Sequence, residues 1–111
     1  MGRPVRFLFI CSRNQWRSPT AEALFRNHPH VVARSAGTSP NAVHHVNALD
    51  LKWADVIFVM EPKHKQRVVA EFPEATRYKE MHVLDIPDDY QRDDPELVRL
   101  LTECLAPYLE K

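Results

Sequence analysis

Phe7–Glu22 reads F-L-F-I-C-S-R-N-Q-W-R-S-P-T-A-E, an apolar run that delivers a cysteine into a short loop closed by an arginine and a helix start. With Val5 ahead of it, the run Phe7–Ile10 has the continuous apolar character of a strand buried on both faces. Cys11 and Arg17 are six positions apart. The residues between them, Ser12, Arg13, Asn14, Gln15 and Trp16, can curl so that successive backbone N–H groups point into one concavity, a nest for a tetrahedral divalent anion. Ser18 reads as the N-cap of the following helix and Pro19 as its first residue. The positive end of that helix then faces the same loop. Helix end and arginine together favour the thiolate of Cys11, and the planar fork of Arg17 suits two oxygens of a phosphate.

Spacing alone does not carry this reading. Ten of the 111 residues are arginine, so a bare Cys-x5-Arg arises by accident beside roughly one cysteine in eleven. The plain alternative is a buried structural cysteine next to an exposed arginine. What favours the anion site is the frame: a strand ending at the cysteine, then Ser-Pro and a helix with Ala21, Leu24, Phe25 and His28 on one face. On this reading neither Cys11 nor Arg17 is an element of the core.

Outward from the loop, three more apolar runs read as buried parallel strands, Val31–Ala33, Val56–Met60 and Val83–Ile86, beside the first at Val5–Ile10. Helical patterns alternate with them at Pro19–His28, Val46–Ala54, Pro62–Phe72 and Pro95–Leu109. The last carries Leu97, Leu100, Leu101, Cys104, Leu105 and Tyr108 on one side. Such alternation predicts an α/β fold of βαβ units, a doubly wound, four-stranded parallel sheet with helices on both faces. Ligands of these sheets bind outside the carboxyl ends of the strands, where Cys11 follows the first strand and Asp88 the last.

Composition bounds the alternatives. The 111 residues and 12.9 kDa fit one domain, 1–111, with a single core. Lysine plus arginine and aspartate plus glutamate each number 15, so the chain has no electrostatic reason to seek nucleic acid or an acidic membrane. Attraction for an anion has to be local. Cys11 and Cys104 are the only cysteines, which argues against a disulfide framework and for the reducing cytoplasm. The N-terminal apolar run is too short for a signal peptide or a membrane span, and Arg6 stands where a myristoylation motif needs serine or threonine. Nothing in the sequence sets an oligomeric state. The six histidines are scattered without metal-ligand spacing, so no metal and no cofactor is expected. Trp53, Phe58 and Met60 read as core, and Lys63–Arg67 as the solvated face of a helix.

The loop C-S-R-N-Q-W-R-S-P-T-A-E, then R-S-A-G-T at Arg34–Thr38, W-A-D-V-I-F-V-M-E at Trp53–Glu61 and I-P-D-D-Y at Ile86–Tyr90, resembles the low-molecular-weight protein tyrosine phosphatases, with the blocks in the family's order. The resemblance implies a flavodoxin-like, phosphotyrosine phosphatase I-like fold. It implies Cys11 as nucleophile and Arg17 as phosphate ligand, with Asn14 and Ser18 bracing the loop, Ser12, Arg13, Gln15 and Trp16 lining it, and Ser35 in the network behind. Asp88 would be the general acid. Three departures stand out. The family loop C-x-G-N-x-C-R-S has glycine where Arg13 stands and a second cysteine where Trp16 stands. Only Ser39–Lys52 separates the second and third blocks, where the family carries a further helix and strand forming part of the pocket rim.

Five aspartates, Asp85, Asp88, Asp89, Asp93 and Asp94, compete for the acid. Asp94 precedes Pro95 and reads as the N-cap of the last helix. Asp93 reads as solvated and Asp85 as a residue in or ending a strand. Aligning the family's D-P-Y on Asp88-Asp89-Tyr90 favours Asp88, with Asp89 as the alternative or as a supporting like charge. Tyr90 is either an aromatic wall of the pocket or a tyrosine packing the loop. Together these readings predict a cysteine-dependent phosphomonoesterase working through a phosphocysteine, on a phosphorylated protein or a small aryl phosphate. The rivals are a catalytically inactive oxyanion or phosphopeptide binder, and an arsenate reductase, which needs a further thiol to pass on a disulfide.

Overall fold

The computed structural model describes residues 2–109. β1 (Val5–Cys11) lies between β2 (Val31–Gly37) and β3 (Val56–Val59), and β4 (Glu80–Val83) pairs with β3, giving the all-parallel order β2-β1-β3-β4. The helices are α1 (Arg17–Leu24), α2 (Ala48–Trp53), α3 (Pro62–Glu71), the short α4 (Pro73–Thr76) and α5 (Pro95–Leu109). This is the predicted four-stranded, doubly wound, flavodoxin-like arrangement, with β1 and β3 interior and the switch point of strand order at their carboxyl ends.

Successive residues of a strand face opposite sides of the sheet. Phe7, Phe9 and Cys11 of β1 therefore join Phe58 and Met60 under α1 and α5, packing against Ala21, Phe25, Leu97, Leu101 and Leu105. Leu8 and Ile10 join Ile57 and Val59 on the opposite side, against Leu51 of α2 and Val68 of α3. The first core is aromatic: the Phe7 and Phe58 rings meet edge to face with centroids 4.9 Å apart. Phe58 and Met60 are core as expected, whereas Trp53 is half-buried with the Arg34 guanidinium 4.2 Å from its ring centroid.

Element limits depart from the sequence reading where polarity misleads. β2 runs four residues beyond Ala33, through Arg34 and Ser35, because an edge strand tolerates polar side chains on its open side. β4 covers Glu80–Val83 and not Val83–Ile86. Glu80 and His82 pair along this edge strand (2.7 Å), and Asp85, at φ 58°, turns the chain away after Leu84. The helix after the loop starts at Arg17 with Trp16 at its cap and no side-chain cap bond, so Ser18 is not the N-cap and Pro19 is not the first helical residue. It ends at Leu24; the stretch to His28 continues in turns closed by three-residue bonds from Arg26 to Ala23 and from His28 to Phe25. α5 keeps its predicted limits, and Asp94 caps it, Oδ1 accepting the Glu96 N–H at 2.9 Å. Among the described residues no helix is long and apolar enough to cross a membrane.

Candidate active site

β1 carries Cys11 to the carboxyl edge of the sheet, and the chain folds back through residues 12–16 before α1 begins. The positive φ in this loop falls on Asn14 (56°) and not on Arg13, so arginine at the family's glycine position meets no left-handed strain. Asparagine is among the residues that tolerate that region best. Asn14 is itself buried and tied on three sides. Its Nδ2 donates to Ser18 Oγ and Ser35 Oγ, each at 2.9 Å, and its Oδ1 accepts the His44 N–H at 3.1 Å. Ser35 Oγ in turn donates to Glu22 (2.5 Å), and Ser18 Oγ lies 3.0 Å from Cys11 Sγ. Ser18 lies inside α1, one residue past its start, and its hydroxyl faces the thiol and the Ala36 carbonyl.

Gly37 closes this floor from β2. A Cβ there would stand 2.6 Å from both the Ser12 carbonyl oxygen and the Ala42 Cβ, so only glycine lets β2 approach the loop this closely. Thr38 and Ser39 then donate their N–H groups to the carbonyls of Cys11 and Ser12, at 3.0 and 2.9 Å.

Cys11 and Arg17 are each only 2% exposed, contrary to the expectation that neither belongs to the core; Cys11 packs within the aromatic cluster and Arg17 is among the largest buried side chains. Arg17 is buried because it is fully partnered on one edge. Nη1 donates to Glu61 Oε2 (2.5 Å) and to the Ile86 carbonyl (2.8 Å), leaving Nε and Nη2 for a ligand. Asp88 Oδ1 lies 3.7 Å from Arg17 Nε, on a side chain 55% exposed. Burial opposes ionisation of Glu61, but the Arg17 bond and charge outweigh it and hold its carboxyl below the usual value.

A cavity of about 180 Å³ opens over the sulfur, lined by Cys11, Ser12, Arg13, Gln15, Trp16, Arg17 and Asp88. Seven of the sequence-predicted site residues are thus brought to one hollow. Asn14, Ser18 and Ser35 lie behind it. Tyr90 is not brought to the cavity: it packs half-buried against the aromatic core. Asp89 is exposed in the same loop and outside the lining, and Trp16, 41% exposed, forms the outer wall. Among the described residues no group of three or more His, Cys, Asp or Glu side chains is arranged to hold a metal.

Two participants escaped the sequence reading. Glu61 anchors Arg17, and its signal was its place immediately beyond β3 at the carboxyl edge of the sheet. His64 is 1% exposed within the stretch read as solvated; Lys63, Lys65, Gln66 and Arg67 are exposed, but the helix turns position 64 inward.

No protein-family model matches the chain. It is 34% identical over 96 aligned positions to the Protein-arginine-phosphatase of Geobacillus stearothermophilus, an alignment spanning 65% of this chain and 65% of that relative. To the Low molecular weight protein-tyrosine-phosphatase Ptp of Acinetobacter johnsonii it is 29% identical over 132 aligned positions, covering 91% and 93%. Among solved structures, the YwlE arginine phosphatase from G. stearothermophilus shares the fold with TM-score 0.70 at 27% identity, covering 96% of this chain and 94% of that one. The tyrosine phosphatase Wzb from Escherichia coli K30, in complex with phosphate, matches with TM-score 0.74 at 21% identity, covering 93% and 94%, a likeness of fold alone. Fold and site define a flavodoxin-like α/β protein with a thiol-bearing loop at the switch point of its sheet. In sequence and in fold the chain is similar to low-molecular-weight protein-tyrosine phosphatases and to the arginine phosphatases that share their architecture.

Proposed function

We propose that the protein is a cysteine-dependent phosphomonoesterase that removes phosphate from a phosphorylated protein side chain, phosphotyrosine foremost, through a phosphocysteine intermediate. The observation that carries this reading is the hollow that holds Cys11, the free edge of Arg17 and Asp88 together. The Cys11 thiolate, steadied by Ser18 Oγ, attacks phosphorus in line; the S–P bond forms as the bond to the leaving oxygen breaks. Arg17 Nε and Nη2 and the loop N–H groups take the equatorial oxygens, where charge is spread in the transition state. Asp88 gives its proton to the leaving phenolate and then, as carboxylate, draws a proton from the water that hydrolyses the intermediate. Its exposed position opposite Arg17 leaves room for a bulky leaving group and for that water.

The rival that needs a second thiol draws little support. Cys104 is held against the Leu84 carbonyl (3.9 Å), and burial pushes its pKa up, both poor conditions for a resolving thiolate. The two relatives' names differ in the phosphorylated residue, arginine in one and tyrosine in the other, so a substrate panel carries both. Hydrolysis of para-nitrophenyl phosphate and of phosphotyrosine and phosphoarginine peptides by the wild type, abolished in Cys11→Ser, is the expected result. A wild type that binds phosphate but turns over none of these substrates is an inert binder, and the proposal fails.

A further inference from the structure

His64 is a buried imidazole that the phosphoryl-transfer steps do not use, yet it touches two parts of the machinery. Its Nδ1 accepts the backbone N–H of Glu61 at 3.0 Å, and its Nε2 lies 2.8 Å from Ser12 Oγ. Because an N–H already points at Nδ1, the ring's proton has to sit on Nε2, which donates to the serine oxygen. Ser12 Oγ thereby becomes an acceptor toward His64, and its own O–H is left to donate elsewhere. Ser12 follows the nucleophile directly and lines the cavity over the sulfur. It also lines the adjoining cavity of about 280 Å³, where His64, Lys63 and Arg67 contribute and no carboxylate does.

We propose that His64 is a positioning residue that orients the Ser12 hydroxyl as an additional hydrogen-bond donor to the phosphoryl group bound over Cys11. The inference rests on the phosphatase reading above. The same imidazole fixes the backbone of Glu61, whose carboxylate holds Arg17, so one ring sets both the hydroxyl and the guanidinium relative to the anion. The ring stays neutral in this duty. Burial, and then the charge of Arg17, push its pKa down to about 4, with Lys63 acting in the same sense and Glu61 and Asp88 opposing. A neutral ring keeps Nδ1 as an acceptor, which protonation would turn into a second donor facing the Glu61 N–H.

The test is calorimetric titration of the full chain with inorganic phosphate near neutral pH, which reads the anion site without turnover. Ser12→Ala and His64→Leu are each expected to weaken phosphate about tenfold, the loss of one hydrogen bond to a charged acceptor. The double variant is expected to lose no more than His64→Leu alone, since Ser12 contributes nothing further once the ring that orients its hydroxyl is gone. His64→Gln, whose amide N–H can still reach Ser12 Oγ, is expected to restore affinity to within about threefold of wild type. Phosphate affinity in Ser12→Ala within about twofold of wild type overturns the proposal, as do single losses that multiply in the double variant. If His64→Leu does not fold, Ser12→Ala still decides by its affinity, and imidazole ¹⁵N shifts of the wild type decide the tautomer. A proton found on Nδ1 also overturns it. A wild type that binds no phosphate sinks the phosphatase reading itself, a result distinct from each of these.

Discussion

Two loops meet at the carboxyl edge of the sheet, and they are built on opposite principles. In residues 11–18 the polar groups behind the hollow are buried and bonded: Asn14 to Ser18, Ser35 and His44, and Arg17 to Glu61 and the Ile86 carbonyl. In residues 85–94 the carboxylates of Asp85, Asp88 and Asp89 face solvent, and the loop is fastened mainly by its backbone, through Ile86 to Arg17 and through the Asp93 N–H to Thr20 Oγ1 (3.0 Å). The contrast suits the chemistry proposed for each loop. Holding a charged, flattened phosphoryl group needs dipoles fixed in advance, because reorganising them during reaction costs part of the gain. Delivering a proton to leaving groups of varied shape, and then admitting water, needs access.

The rigid loop gives the largest effect. Cys11→Ser and Arg17→Lys are each expected to lower kcat for para-nitrophenyl phosphate more than about a thousandfold, since a serine hydroxyl lacks thiolate nucleophilicity and lysine lacks the fork. Stability separates the two variants. Arg17→Lys leaves Glu61 and the Ile86 carbonyl with one partner where they had a matched edge, and it should melt well below wild type, whereas Cys11→Ser should not. Equal melting temperatures would show that Arg17 is held for catalysis alone.

On the open side, Asp88→Asn is expected to lower kcat about a hundredfold for phenyl phosphate and much less for substrates with good leaving groups, which hardly need the proton. Thermal stability should be unchanged, as its side chain touches only Arg17 at 3.7 Å. Leaving-group dependence that moves with Asp89 and not Asp88 would assign the acid to the neighbour.

A third difference between the loops is how they respond to acid. Burial, and then the charge of Arg17, push the pKa of His64, behind the rigid loop, from its ordinary 6.5 in the unfolded chain down to about 4 in the folded one. Between those values the unfolded chain binds the extra proton, so stability from this group is complete above about pH 6.5 and falls by roughly 3 kcal/mol as pH drops toward 4. Urea midpoints measured across this window should fall more steeply for wild type than for His64→Gln. Parallel curves would place the sensitivity elsewhere.

Asn14→Ala probes the rigidity itself. It removes donors to Ser18 and Ser35 and puts alanine at φ 56°, so a loss of about tenfold in kcat and ~1–3 kcal/mol of stability is expected. If kcat survives while stability falls, the network holds the fold and not the anion.

Legibility in the sequence follows the same division. β1, the loop and α5 were readable because their signals are local: a continuous apolar run, six-residue spacing, a 3.6-residue stripe with Asp94-Pro95 at its head. β2 runs past its expected end and β4 shares only Val83 with its expected span, because edge strands carry polar residues such as Arg34, Ser35, Glu80 and His82 that a buried-strand pattern rejects. α4, a four-residue helix started by Pro73, is too short to show periodicity. Glu61 and His64 reach Arg17 and Ser12 from 44 and 52 positions away, so their roles exist only once β3 lies beside β1. Burial of Cys11 and Arg17 was missed for the same reason, as the covering residues come from α5 and the last loop.

The smallest effect belongs to Asp94, six residues from Asp88 and alike in chemistry but not in surroundings. Its Oδ1 accepts the Glu96 N–H and its carbonyl the Val98 N–H, the two bonds that open α5, whose Leu97, Leu101 and Leu105 build the core under Cys11. Asp94→Ala removes the side-chain bond and leaves an N–H of the first turn without its carboxylate, a loss typical of N-caps at about 1 kcal/mol. The melting temperature should drop by a few degrees, and Asp94→Asn, which keeps the acceptor, should recover most of it. Turnover of phenyl phosphate should stay within about twofold of wild type in both variants, because no proton is passed at this position. If Asp94→Asn instead slows phenyl phosphate and spares substrates with good leaving groups, the proton comes from the head of α5, and the open loop serves only as an entrance.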